Sequence, residues 1–167
     1  MPKKPLNPAA ELIRLEALCN RAEHCTHEIA EKLRRKGYSS MQVAEITASL
    51  RANRFIDDRR FATAYVHDKY TFSGWGRLKI KNGLRAKFIS PDIIDEVMAE
   101  EIDPRGYLLT AFRAIRSRLR TLPADLPRLE ARNKLMRFAA SRGYEASVII
   151  KILSSSRLWS SAESHDD

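Results

Sequence analysis

The chain is poor in the residues that build special-purpose scaffolds. It has two cysteines, six glycines and seven prolines among 167 residues. Two cysteines exclude a disulfide framework. No apolar run is long enough to cross a bilayer. Glycine-rich phosphate loops and the G-x-S-x-G nucleophile pattern are missing, which removes the commonest hydrolase and nucleotide-binding readings. No segment alternates β-branched with polar residues as a half-buried strand does. The start, MPKKPLNPAAELIRLEALC, carries two lysines but breaks at Pro5 and Pro8, and charges interrupt the residues beyond them. It therefore lacks a secretory apolar core, and the cytoplasm is the expected location, with no membrane partner.

Apolar residues and positive charge are plentiful. Hydrophobic residues make up 44% and charged residues 31%, enough apolar material to fold. The formal net charge is +9. Residues 1–56 hold 10 Lys/Arg and 6 Asp/Glu, residues 57–103 hold 8 and 9, and residues 104–167 hold 12 and 6. Both ends are basic and the middle is mixed. Such a balance points to a polyanionic partner, either nucleic acid or an acidic protein face, and says nothing about fold.

Apolar positions recur at helical spacing along the whole chain. They run Leu12, Leu15, Leu18, Cys19; Ile29, Leu33; Val43, Ile46, Leu50; Phe61, Tyr65; Ile80, Leu84, Phe88; Ile93, Ile94, Val97; Leu108, Phe112, Ile115, Leu119; Leu135, Phe138; Ile149, Ile152. Tyr70, Phe72 and Trp75 read as core or helix-start packing. Ser39 with Gln42 makes a capping box, and Ser90-Pro91-Asp92 opens another helix. Gly37 and Gly143 stand where helices end, and Pro104, Pro123 and Pro127 interrupt the pattern. The reading is nine helices and no sheet.

Three stretches align with one another: IAEKLRRKGYSSMQVAEI (29–46), IKNGLRAKFISPDIIDEV (80–97) and LMRFAASRGYEASVIIKI (135–152). Ile29 matches Ile80 and Leu135; Leu33 matches Leu84 and Ala139; Tyr38 matches Ile89 and Tyr144. Val43 matches Ile94 and Ile149; Ile46 matches Val97 and Ile152. The expected fold is all-α, three tandem three-helix repeats at 10–56, 57–103 and 104–159. An N-terminal tail precedes them at 1–9 and a disordered tail comes after them at 160–167. Stacked repeats of this size predict an elongated, curved molecule with one long binding surface.

FIDDRRFA, residues 55–62, sits at the junction of the first two repeats. Paired aspartates hold metals, but they also suit a helix start, where free N–H groups and the dipole favour negative charge. Asp57 reads as the N-cap and Asp58 as a first-turn acid. A metal or acid–base site needs further converging ligands, and none lies near in sequence except His67 and Asp68. Cys19, His24, Cys25 and His27 also crowd together, but their spacing matches no zinc finger. No metal or other cofactor is expected.

The run FIDDRRFATAYVHDKY, continued by GWGRLKI, resembles the signature of the RecX family, whose members regulate the RecA recombinase. Phe55, Ile56, Asp57, Asp58, Arg60, Phe61, Ala62, Tyr65 and Val66 match its pattern, as do Gly76, Arg77 and Leu78, and Leu33 to Tyr38 upstream. The chain departs from it at Phe88, where the family has glycine. The resemblance implies an all-helical, non-enzymatic protein of three three-helix units. It implies a RecA filament on single-stranded DNA as partner, with growth, strand exchange and ATP hydrolysis restrained.

Three basic stretches are the candidate partner-binding residues: Arg34, Arg35 and Lys36; Arg77, Lys79, Lys81 and Arg85; and Arg113, Arg116 and Arg120. Arg77, Lys81 and Arg85 fall on one helical face, and Arg113, Arg116 and Arg120 on another. Phosphate or an acidic protein face explains such faces equally well, and weak direct DNA binding is a further expectation. A monomer suffices for this reading. The competing reading is a helix-turn-helix transcription regulator, since EIAEKLRRKGYSSMQVAEI has two helices and a glycine turn. Against it, the pattern occurs three times and no dimerisation domain is visible.

Overall fold

A computed structural model describes residues 7–160. These residues form ten helices and no strand: α1 Pro8–Cys19, α2 Thr26–Lys36, α3 Ser40–Ala52, α4 Asp58–Thr71, α5 Arg77–Ala86, α6 Pro91–Glu101, α7 Pro104–Leu119, α8 Arg128–Ser141, α9 Ala146–Leu153 and α10 Ser156–Ser160. Nine keep the expected order. The tenth is too short to show a period in sequence, and it buries only Leu158. Beyond Ser160, the expected C-terminal tail lies outside the described residues, as do residues 1–6. Pro8, read as tail, is already the first residue of α1, and the Asn7 side chain accepts the Ala10 N–H at 3.1 Å.

Local chemistry sets the helix starts. Ser39 and Gln42 bond each other's backbone N–H at 3.3 and 3.0 Å, a closed capping box. Asp103 accepts the Gly106 N–H at 2.7 Å ahead of Pro104. Such caps are each worth about 1 kcal/mol.

The internal repeat is visible atom by atom. All fifteen aligned positions are buried, from Ile29, Ile80 and Leu135 through Ile46, Val97 and Ile152. The middle helix of each repeat is followed by a left-handed residue: Gly37 at φ 97°, Phe88 at φ 56° and Gly143 at φ 87°. The amide of that residue donates three positions back at 2.9 Å in every case, to Arg34, Arg85 and Ala140. The next amide, of Tyr38, Ile89 or Tyr144, donates five back at 3.2 Å. This double closure satisfies the last helical carbonyls and drops the side chain of that next residue into the core.

Compactness does not respect the repeat boundaries. The described residues divide into one unit of 7–65 with 84–97, and a second of 66–83 with 98–160. The first has a core of Leu15, Ile29, Ala30, Leu33, Tyr38, Val43, Ile46, Leu50 and Ile56, with Leu12, Leu18, Cys19 and Phe55 against it. The second buries Tyr107, Ala111, Ile115, Leu135, Ala139, Tyr144, Ile149 and Leu153, among others.

Three apolar readings need correction. Phe72 and Phe88 are not core: they are 77% and 76% exposed. Phe88 leaves the Ile80–Leu84 face because the helix ends two residues before it. In α7 the fully buried row is Tyr107, Ala111 and Ile115, whereas Leu108, Phe112 and Leu119 are half-buried. The helix is turned to place the Tyr107 hydroxyl between polar partners, which a buried phenol requires.

Candidate partner-binding surfaces

In the first unit the two aspartates have different tasks. Asp57 accepts the Arg60 N–H at 3.0 Å, closing its own helix. Asp58 reaches 32 residues back and accepts the Thr26 N–H at 2.7 Å. Thr26 opens α2, whose own N-cap residue, Cys25, supplies no side-chain bond. One carboxylate thus caps α4 and its neighbour caps α2. The adjacent arginines are also occupied: Arg60 bonds Glu23 at 2.7 Å, and Arg59 bonds Glu96.

The cysteine–histidine cluster disperses on folding. Cys25 is fully buried with its Sγ 3.9 Å from the Lys87 carbonyl, and Cys19 packs against the core. Burial pushes both thiols up. His24 faces Glu28 at 3.1 Å, and the His27 ring stacks on Phe88 with centroids 4.4 Å apart. Among the described residues no group of three metal-ligating side chains converges.

Glu28 is the polar centre of this unit. Lys87 donates to it at 2.6 Å and His24 lies beside it. Burial raises the Glu28 pKa, but the bonds from Lys87 and His24 overcome that and hold it below the usual carboxylate range. The same bond raises Lys87. Of the first basic stretch, Arg34 pairs with Glu31 at 2.7 Å and Lys36 with the buried Glu11, while Arg35 is exposed with no ion pair among the described residues. Arg85 is likewise exposed and without an ion pair there.

In the second unit the start of α5 is clamped onto the turn between α8 and α9. The Gly76 amide donates to the Arg142 carbonyl at 2.7 Å, and Leu78 to that of Gly143 at 3.0 Å. A Cβ on Gly76 would lie 2.3 Å from the Gly143 carbonyl carbon, and one on Gly143 would lie 2.3 Å from Lys79 Cβ. Only glycine at both positions permits this approach. The Arg77 amide donates to the Tyr107 hydroxyl at 3.0 Å, and that hydroxyl donates to Glu145. Burial and the Glu145 carboxylate push the Tyr107 phenol far up; burial pushes Tyr144 up to about 12.

This clamp claims cations expected to be free. The Arg77 guanidinium lies 4.1 Å over the Tyr107 ring and 3.7 Å from Glu145. Lys79 lies 4.4 Å over the Trp75 ring and reaches the Ser141 carbonyl at 3.3 Å. Lys81 is half-buried. On α7, Arg113 and Arg120 are exposed, but Arg116 is half-buried and its Nε has no hydrogen-bond partner among the described residues.

A further basic surface was not read from the sequence. Arg118, Lys134 and Arg137 line an open depression of about 610 Å³ together with Thr121, Leu122, Pro123, Phe138 and Ser141. Arg118 and Arg142 lie 5.9 and 5.4 Å from the Phe138 ring centroid. Lys134 and Arg137, at i and i+3 on α8, were the available signal. They share that depression with Arg118 only because α8 packs against α7 in the fold.

Among the described residues no helix is long and apolar enough to cross a membrane. The family description "RecX, second three-helix domain" matches residues 57–98. A regulatory protein RecX of Halorhodospira halophila is 33% identical over 143 residues, covering 83% of this chain and 84% of the relative. One of Legionella pneumophila is 30% identical over 135 residues, covering 81% and 87%. A Clostridium acetobutylicum relative is longer: the 30% identical match spans 75% of this chain but 59% of that protein. A crystal structure of regulatory protein RecX superposes with a TM-score of 0.80 at 20% identity, over 93% of this chain and 83% of that one. RecX from Lactobacillus salivarius gives 0.71 at 19%, over 87% and 96%. At those identities the superpositions speak for the fold.

Proposed function

The chain belongs to the RecX family, a family of regulatory proteins, and we propose that it binds RecA filaments on single-stranded DNA and restrains their growth, strand exchange and ATP hydrolysis without catalysing a reaction itself. The family membership carries this reading. The cations left exposed support it: Arg35, Arg85, Arg113 and Arg120 make no ion pair among the described residues, and Arg118, Lys134 and Arg137 open onto one depression.

The three-helix repeats at 10–56, 57–103 and 104–159 lie along the filament groove and bridge neighbouring recombinase protomers. Exposed arginines meet acidic protein faces, DNA phosphates or both, and weak direct DNA binding comes from the same charge. Holding the filament in an inactive arrangement, or blocking the next protomer, inhibits it. Arg77 and Lys79 serve this function through the clamp that positions α5, and Arg34 and Lys36 through α2. The protein acts as a monomer in the cytoplasm.

The test is charge reversal away from the clamp. Arg113→Glu with Arg120→Glu is expected to weaken inhibition of RecA ATP hydrolysis and flatten its salt dependence. Unchanged inhibition would remove α7 from the binding surface. Strong wild-type binding to duplex DNA with no effect on RecA would favour the helix-turn-helix regulator instead.

A further inference from the structure

Two unfavourable features meet at Phe88. Its backbone is left-handed at φ 56°, a conformation that strains any residue with a Cβ. Its ring is also 76% exposed. The equivalent turns use Gly37 and Gly143, and all three turns close with the same pair of hydrogen bonds, at 2.9 and 3.2 Å. Glycine would therefore complete this turn with less strain and without an exposed phenyl ring. The ring is also not free to collapse onto the core: His27 stacks against it at 4.4 Å, tilted by 31°. One side of the ring is supported and the remainder faces solvent.

The charges around the ring identify the class of partner. Glu28 and Glu31 follow His27 within about one helical turn, Glu31 paired with Arg34, and Asp92 opens the next helix four residues beyond Phe88. Lys87, the nearest cation in sequence, is committed to Glu28. A nucleic acid strand stacking a base here would find the neighbouring cations already taken, Lys87 by Glu28 and Arg34 by Glu31. A protein surface with an apolar socket needs no free cation beneath the ring. Arg85, exposed three residues earlier, adds a cation for a carboxylate on that socket's rim.

We propose that Phe88, buttressed by His27, is an anchor that inserts into an apolar socket on a protein partner, with Arg85 meeting an acidic group at the rim. This rests on the reading that the partner is the RecA filament, and it names the contact. Aromatic anchors flanked by arginine dominate the energetics of protein interfaces.

The experiment pairs thermal unfolding with binding of Phe88→Gly and Phe88→Tyr. The probe is RecA assembled on single-stranded DNA with a non-hydrolysable ATP analogue. Phe88→Gly is expected to melt about 2–4 °C higher, because the strain is relieved, and to bind the filament about thirtyfold more weakly. Phe88→Tyr keeps the ring and binds within about threefold of wild type. A Phe88→Gly protein that binds as wild type does overturns the anchor, as does one that melts lower, which would make the ring a structural brace. Weakened binding of Phe88→Gly to the bare oligonucleotide would overturn the protein socket in favour of base stacking. A wild-type protein that ignores the filament instead overturns the proposed function, so the two failures are distinct.

Discussion

The turn at Gly37-Tyr38 and the turn at Gly143-Tyr144 have the same sequence pattern, the same left-handed residue and the same pair of closing hydrogen bonds. Their surroundings differ. Nothing lies within 4 Å of a Cβ placed on Gly37, whereas one on Gly143 would collide with the backbone and Cβ of Lys79. Tyr38 sends its hydroxyl 3.4 Å to the Asn7 carbonyl near the chain start, while Tyr144 bonds the Gly74 carbonyl at 3.0 Å inside the clamp on α5. The repeated pattern thus specifies a turn, and the neighbour decides whether that turn stays a surface feature or becomes a packing joint.

Substitution at the two glycines should separate these roles most sharply. Gly143→Ala is expected to lose more than about 3 kcal/mol, since backbone must move to admit the methyl. Gly37→Ala should lose only about 1 kcal/mol for the left-handed conformation. Chemical denaturation of both variants makes the comparison, and equal losses would break it. Tyr107→Phe comes next, at about 1–3 kcal/mol, because it removes the acceptor for the half-buried Arg77 amide and the donor to Glu145. The same change in the first unit, Tyr38→Phe, loses only one long bond and should fall below about 0.5 kcal/mol.

Asp58→Ala is expected to cost about 1 kcal/mol, and its effect should appear as faster amide exchange at the start of α2 as well as α4. Asp57→Ala should loosen α4 alone. An effect of similar size is that of pH on Glu28. Its pKa is depressed in the folded state, so its contribution is present above the ordinary value of 4.5 and is lost as pH falls through the depressed value. Lys87 has the opposite sense: its contribution is full below its ordinary value and is lost as pH rises through the raised one. Partial exposure of both groups limits the pair to about 1 kcal/mol. Melting of Glu28→Gln against wild type should therefore be separated above about pH 4.5 and converge as pH falls through the depressed value.

The features legible in the sequence were local or periodic. The helical stripes, the Ser39–Gln42 box, the Asp57 cap and the aligned core positions each depend on residues within one or two turns. The missed features depend on distant neighbours. Asp58 caps a helix that starts 32 positions earlier. Arg77 and Lys79 read as partner-binding because their aromatic and carboxylate partners, Tyr107, Trp75 and Glu145, come into place only with the fold. The α7 row was misread by one position because Tyr107, which is polar at its tip, outcompeted Leu108 for burial once its hydroxyl had two partners. Phe88 fitted the helical period, but the helix had already ended. The family resemblance had marked that position as a glycine site, which was the signal that its backbone would be left-handed.

The central claim is that this chain restrains RecA filaments. The most direct measurement is ATP hydrolysis by RecA on single-stranded DNA while the protein is added in sub-stoichiometric amounts. The rate is expected to fall, with the amount needed distinguishing capping of filament ends from coating of the groove. A rate that stays constant up to equimolar protein would contradict the claim.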